Sequence, residues 1–486
     1  MYKLGDMNQQ RLAQFHLSFG GKLKRTNRWI TLSEIIPWED FEKEYSLNFS
    51  KTRGAPSLSF RIALGSLIIK ERLNLSDVET VEQIEENPYM QYFLGFEGFI
   101  SERPFDSSSL THFRKRISPE LISKMNEKII EAQLFKTKEK EISKKSDDDD
   151  QSNNGTMTID ATCAPSDIRY PTDISLLNEC RVNSEKIIDT LWNEAKRFGV
   201  DKPRTYRKKA RKDFLSASKS KRLSIERRRK LIKKQLNYLK RNASTIESMG
   251  NLTILSKKEY KQFLVIKEVY RQQSELYNEN KRSIKDRIVN AAQPYIRPIV
   301  RGKAGKPVEF GAKISAALVN GFVYLDRFSF DSYNESTDLK LHIKKYKKRF
   351  GVLPSKILAD QIYRTRYNRK FCKKLGIELS GKPLGRPPKN GFSKNEKMRW
   401  QNNEKERSLI EGKFGQLKRR FSLGRIMAKL ANTTNTIAEI AFLVVNLEKI
   451  LALGDFLYSF INMIVELIDN KKFRFSNSKL SLMIIQ

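Results

Sequence analysis

Apolar residues recur at helical spacing through the first 135 positions. Phe60 to Ile69 reads as an apolar helix, Ser76-Asp77-Val78-Glu79 opens another with a capping-type start, and Asn87-Pro88 closes it. A third helix begins within Phe105 to Thr111 and carries Phe113, Arg114, Lys115 and Arg116. The spacing therefore predicts a compact helical unit over 1–135 with one basic helix. Residues 136–155 then lose both apolar content and periodicity, reaching four consecutive aspartates at 147–150, and read as a flexible polar linker.

The pattern changes at Thr156, where Met157-Thr158-Ile159-Asp160 reads as a strand ending on its acid. From about 175 to 300 it is helical again and heavily charged. Two strands follow, Glu309 to Val319 and Gly321 to Phe330, joined at Asn320-Gly321, a strong two-residue hairpin signal. A helix over 335–350, a strand from Lys356 to Asp360, a helix over 364–375, a short strand at 377–379 and a helix from Glu404 to Arg420 complete the series. Apart from its helical insert, the unit 156–430 is thus an α/β mixed sheet with flanking helices. Residues 431–486 form an apolar C-terminal region, in which 437–468 is broken by Glu439, Glu448, Lys449, Asp455 and Glu466 and reads as core helix.

Charge narrows the partner. The chain has 486 residues with 93 Lys and Arg against 56 Asp and Glu, a formal net charge of +37. Such an excess concentrates polyanions and repels itself. Charge alone does not separate nucleic acid from an anionic membrane, but no uninterrupted apolar run reaches the roughly 20 residues of a spanning helix, and no secretory signal opens the chain. From Lys202 to Arg241 there are 18 Lys or Arg and only two acids, Asp213 and Glu226. Leu231, Ile232, Leu236, Tyr238 and Leu239 still form an apolar stripe there. The expectation is a basic helical hairpin, with Arg227, Arg228 and Arg229 on it, lying along DNA phosphates. The three cysteines and three histidines are scattered, which disfavours a zinc site or disulfides and fits a reducing, cytosolic setting. Any metal must be held by oxygen, which favours Mg²⁺ or Mn²⁺.

Three acids stand out within this basic chain: Asp160 and Asp360 at strand ends, and Glu411 on a helix. Phosphodiester cleavage needs an attacking oxygen activated on one side of phosphorus and a leaving oxygen stabilised on the other. Two ions roughly 4 Å apart, held by shared carboxylates, do both. At about 100° per residue, Arg407, Glu411 and Lys418 share one face of their helix. Leu409, Phe414 and Leu417 fall off that row and are expected to face the core.

The triad with this R-x3-E-x6-K helix resembles the DDE transposases of bacterial insertion sequences, in the branch with a Y-x2-R-x3-E-x6-K signature. The likeness extends to Asp160-Ala161-Thr162 with Asp167 to Asp173, to Gly302 to Gly311, and to Asp360-Gln361-Ile362-Tyr363-Arg364 with Leu379 to Pro388. It also takes in Glu86 to Tyr89 and Pro104 to Arg114, so it covers most of residues 50–450. It implies a ribonuclease H-like catalytic fold, two Mg²⁺ (or Mn²⁺) ions on Asp160, Asp360 and Glu411, and double-stranded DNA as partner, both as terminal inverted repeats and as target. Paired-end chemistry implies a homodimer in the DNA complex, acting at the nucleoid. Phosphate contacts are expected from Arg407, Lys418, Arg364, the Arg114-Lys115-Arg116 helix and the insert. Lys382 to Lys389 reads first as a stiff proline loop and resembles a minor-groove hook centred on Arg386. One position departs from the signature: Glu404 stands where the family has tyrosine. The rivals are a structure-selective nuclease of the same fold and a non-catalytic DNA-binding derivative.

Overall fold

The computed structural model describes residues 15–454 apart from 19, 51, 53–55, 143–152, 221, 304–305 and 386–390. The aspartate run at 147–150 and Arg386 therefore lie outside the described residues.

The N-terminal part consists of α1 (Arg28–Ile35), α2 (Trp38–Ser46), α3 (Phe60–Leu73), α4 (Asp77–Glu86), α5 (Pro88–Phe93), α6 (Ser109–Arg116) and α7 (Pro119–Ile142). Local chemistry sets their ends. Ser59 and Ser76 accept from backbone N–H groups in the first turns of α3 and α4, and Asn74 closes α3 in the left-handed conformation. Asn87 ends α4 and caps α5, whose first residue is Pro88. Helix α7 runs seven residues past the boundary expected at 135.

The second part begins with β1 (Thr156–Pro165). The insert follows as α8 (Asp173–Ala195), α9 (Arg207–Ser218), α10 (Ile225–Ser248) and α11 (Lys257–Asn278). Then come β2 (Arg297–Lys303), β3 (Lys306–Val319), β4 (Phe322–Ser329), α12 (Leu339–Phe350), β5 (Lys356–Ala359), α13 (Arg366–Lys374), β6 (Glu378–Leu379) and α14 (Lys394–Arg420). A last helix, α15, spans 431–454 at the edge of the described residues. The strands form a six-stranded sheet in the order β2-β3-β1-β5-β6, with β4 also on β3. Strand β3 is antiparallel to β1 and β4, whereas β5 is parallel to β1 and to β6. This mixed sheet, with helices on its faces, is a ribonuclease H-like α/β fold. The β3–β4 hairpin turns at Asn320 and Gly321, both at positive φ (51° and 76°), as that dipeptide requires. Strand β2 falls at the end of the stretch expected to be helical, where it pairs with β3.

One continuous hydrophobic core joins three regions of the sequence. It includes Trp29, Phe60 and Ile122 from the N-terminal helices, Ile159, Ala317 and Ile357 from the sheet, and Phe442 and Val445 from α15. The insert has its own core, built from Leu177, Ile188, Leu239, Ile246, Phe263 and Ile266. Buried polar groups fix how the elements of the main core meet. Arg349 on α12 bridges Glu127 on α7 and Asp326 on β4 at 2.6 and 2.7 Å, and Asp326 also holds the fully buried His342 at 2.5 Å. Paired in this way the charges tolerate burial.

Asn446 of α15 completes the outer edge of β4. Its side chain accepts from the Val323 N–H at 2.9 Å, donates to the Val323 carbonyl at 2.8 Å, and donates to Asn126 of α7 at 3.0 Å. Val323 is fully buried, so Asn446→Ala strands a buried peptide group. The expected loss is about 1–3 kcal/mol of stability, read as a lower denaturation midpoint; an unchanged midpoint would show that water takes over both bonds.

Candidate active site

Strand register brings the first two acids together. The parallel β1–β5 ladder pairs Thr156 with Lys356 and ends at Ile159 with Ala359, so Asp160 and Asp360 are the next residues on neighbouring strands. Neighbouring strands lie about 4.8 Å apart. Asp360 follows the end of β5 as expected, and its carboxylate accepts from the Gln361 N–H at 2.6 Å as the cap of a short 3₁₀ turn. Asp160 does not end its strand. It sits mid-way along β1, because β3 continues to pair with Ala161 through Pro165 after β5 has stopped. What stops at Asp160 is the β5 side of the ladder, which opens the sheet there.

Helix α14 packs over β1 and β5 and carries the third acid. Its start is set by Ser393 and Glu396 in a reciprocal capping box. The core face is Ile410, Phe414 and Leu417, whereas Leu409 is 61% exposed. The expected core row is corrected by one position, because Ile410, not Leu409, lies four and seven residues before the other two. Arg407 and Glu411 do share a face, with Arg407 Nη1 donating to Glu411 Oε1 at 2.9 Å.

Burial pushes the Asp160 carboxyl up to about 6. The Ala161 N–H and the Arg407 guanidinium oppose the shift, while the Glu335 and Asp360 carboxylates add to it. Glu335, in the 3₁₀ turn before α12, is an acid that sequence reasoning missed. It is held by Lys313 of β3 at 2.8 Å. Among the described residues, no three or more His, Cys, Asp or Glu side chains are grouped so as to hold a metal ion. Glu411 is turned into its ion pair with Arg407. The donor chemistry still fits a divalent cation: the acids offer hard oxygen ligands, and Asp160 lies where a like charge is already unfavourable.

The expected phosphate contacts are placed differently from one another. Arg407 is mostly buried between Glu404 and Glu411. Arg364 donates twice to the Ala359 carbonyl and once to Glu404. Lys418 lies partly buried on α14, one turn past Phe414. On α6, Arg114 makes a two-pronged pair with Asp77 at 2.9 and 2.7 Å, while Lys115 and Arg116 are exposed, the latter over the Phe49 ring. In the insert, Arg228 is exposed and Arg227 reaches Ser216, but Arg229 is stacked on Tyr277 and bonded to Asn280. Cys163 is buried, as are the other two cysteines.

Comparison with known proteins finds two transposase domains on the chain. A transposase DDE domain matches residues 357–448, a span that contains Asp360, Glu404, Arg407, Glu411 and Lys418. A second transposase domain matches residues 17–116, the N-terminal helices. An uncharacterised protein, ORF8 in the nfe locus of Rhizobium meliloti, is 30% identical over 188 residues, which is 39% of this chain and 82% of that protein. No solved structure matches. The fold and these matches define a ribonuclease H-like transposase. The chain belongs to the DDE transposases of insertion sequences. No helix among the described residues is long and apolar enough to cross a membrane.

Proposed function

We propose that this transposase cuts DNA at the ends of its own element and joins those ends to target DNA. Asp160, Asp360 and Glu411 act together as the catalytic acids and would hold two Mg²⁺ or Mn²⁺ ions. The observation that carries this reading is the β1–β5 register, which makes Asp160 and Asp360 neighbours beneath the helix bearing Glu411. The ions supply activation of the attacking oxygen and stabilisation of the leaving one. Water first attacks phosphorus at the element end and frees a 3′-hydroxyl; that hydroxyl then attacks a target phosphodiester. Both steps are in-line displacements without a covalent protein intermediate. Arg407 keeps Glu411 Oε1 through Nη1, which leaves the other carboxylate oxygen for an ion and Nη2 to face a phosphate. Lys418, about two turns past Glu411 on the same helix face, supports the same backbone.

In this reading residues 1–135 contribute DNA contacts through Lys115 and Arg116, 136–155 links them to the catalytic unit 156–430, and the insert within about 175–300 lies along the duplex. Residues 431–486 support the catalytic unit through α15. Two ends must be cut and joined in one complex, so the working form is a homodimer on double-stranded DNA at the host nucleoid. The test uses purified protein with Mg²⁺ on duplexes carrying the inverted repeats that flank its coding region. The expected products are ends with free 3′-hydroxyls and, with added plasmid, joined species. Cutting of branched DNA without any joining would instead identify a structure-selective nuclease, and binding without metal-dependent cutting a non-catalytic derivative.

A further inference from the structure

Glu404 stands three residues before Arg407, where the resembling family carries tyrosine. Its two carboxylate oxygens have different partners. Oε1 accepts from Arg364 Nη2 at 2.5 Å, and Oε2 accepts from Arg407 Nε at 2.7 Å. Each arginine continues toward an acid of the site. Arg364 donates through Nε and Nη2 to the carbonyl of Ala359, at 3.1 and 2.7 Å, and Ala359 immediately precedes Asp360. Arg407 Nη1 donates to Glu411 Oε1 at 2.9 Å. An unbroken polar path therefore runs from the end of β5 to Glu411, with Glu404 at its centre.

The surroundings make this path a fixture. The Arg364 and Arg407 side chains are only 13% and 17% exposed. Gly381, at φ +111°, lies so close that a Cβ there would come within 2.5 Å of Arg364 Cζ. The apolar anchors of α14, Ile410, Phe414 and Leu417, all lie at or beyond residue 410. Before that point the helix is mainly exposed, with Asn403 as its buried contact. The Arg364–Glu404 pair thus ties the less anchored half of α14 to the strand end that carries Asp360. Two guanidinium groups held this close also need a negative group between them, which a tyrosine does not supply. Burial raises the Glu404 carboxyl, but the bonds and charges of both arginines outweigh it, and the group titrates below the ordinary glutamate range.

We propose that Glu404 is a positioning residue that sets Asp360 and Glu411 relative to each other by bridging Arg364 and Arg407. The proposal rests on the reading of Asp160, Asp360 and Glu411 as the catalytic acids. It also makes Arg364 an internal strut, engaged with Ala359 and Glu404 whether or not DNA is bound.

The test compares the full-length chain with Glu404→Gln, Glu404→Asp, Arg364→Ala and the Glu404→Gln/Arg364→Ala double variant. Mn²⁺ binding is measured without DNA by water-proton relaxation, and cleavage is measured at saturating DNA. Partners that orient metal ligands typically change metal affinity or activity about 10–100-fold. Glu404→Gln is therefore expected to weaken Mn²⁺ binding and slow cleavage by about tenfold or more, with DNA affinity changed less than about twofold. Glu404→Asp, too short to reach both arginines, falls between and guards against a glutamine variant that fails to fold. The double variant is expected to be no worse than the poorer single one, because both break the same bridge. Unchanged Mn²⁺ binding and cleavage in Glu404→Gln, a loss confined to DNA affinity, or additive losses in the double variant would each overturn the proposal. Glu411→Gln run in parallel separates the two levels. If it still binds Mn²⁺ and cuts, the acid assignment fails and takes the bridge with it; if it is inactive while Glu404→Gln is normal, only the bridge fails.

Discussion

Asp160→Asn is expected to raise the melting temperature of the metal-free protein at pH 7.5 while abolishing DNA cleavage. The stability half of this result follows from linkage. Asp160 has its carboxyl pushed up to about 6, from an ordinary value of 3.8, chiefly by burial. Between those values the folded state keeps a proton that the unfolded chain has released, so stability falls as pH rises through that window. Above it, the ionised carboxylate costs about 3 kcal/mol. Asparagine is neutral at all these pH values and can still accept from the Ala161 N–H, which Asp160 bonds at 2.8 Å. The gain should therefore be several degrees at pH 7.5, at roughly 2–4 °C per kcal/mol for a domain of ordinary size, and should shrink toward pH 4. The activity half follows from the site. An amide cannot supply the charge that an oxygen-bound divalent ion requires, and removing a preorganised electrostatic partner of a transition state costs on the order of 10²–10³ in rate or more. Mn²⁺ should stabilise the unaltered chain and leave Asp160→Asn nearly unmoved. Thermal melts with and without chelator, at pH 4.5 and 7.5, check the first half, and cleavage of end-bearing duplexes checks the second. A variant that melts no higher without metal, or that cuts DNA at a normal rate, contradicts the account of Asp160 given above.

Much of this site is legible in the chain because its strongest signals are local. Asn320-Gly321 can turn only one way between two apolar runs, and Ser76 caps the helix it precedes. Arg407 and Glu411 meet because four residues make about one helical turn. The signals that failed depend on partners distant in sequence. Ala161 to Pro165 looks like the run-out of a strand, yet β3 is long enough to pair with all of it. Strand β2, with Pro298 and three cations among seven residues, is a strand only because it lies on the edge of β3. Helix α14 starts at Lys394, ten residues before the expected Glu404, because its first half has no apolar stripe to announce a helix and only the Ser393–Glu396 capping box marks its start. Glu335 is 175 positions from Asp160 in sequence, and Arg364 is forty from Glu404. No spacing rule links either pair; tertiary packing alone does. The continuous core through α3, the sheet and α15 is of the same kind. Regions that separate by composition can still fold as one body when their apolar faces complement each other.

The same distinction between local and tertiary information decides which cations of the insert serve DNA. By composition, every Lys and Arg from 202 to 241 is equivalent; in the structure they divide. Arg207 makes a two-pronged pair with Asp189 at 2.7 and 2.8 Å and also bonds the Glu185 carbonyl. Lys234 and Tyr238 share Asp213 at 2.8 and 2.9 Å, and Arg229 is stacked on Tyr277 and bonded to its carbonyl. These side chains hold the hairpin together. Lys208 and Lys212 on α9, with Lys230 and Lys233 on α10, are exposed and make no ion pair with a described acid. At spacings of four and three residues they form short rows on their helices. Changing these four lysines to glutamine is expected to reduce the slope of log affinity against log salt by roughly 3–4, about one for each phosphate contact removed, and to weaken binding at physiological salt on the order of 100-fold. Arg207→Gln and Arg229→Gln should lower the unfolding midpoint and leave the salt slope almost unchanged. Titrations of fluorescent duplex at several salt concentrations separate the groups. Equal effects on the slope from both sets would mean that the insert meets DNA as a diffuse cationic cloud, with no defined face.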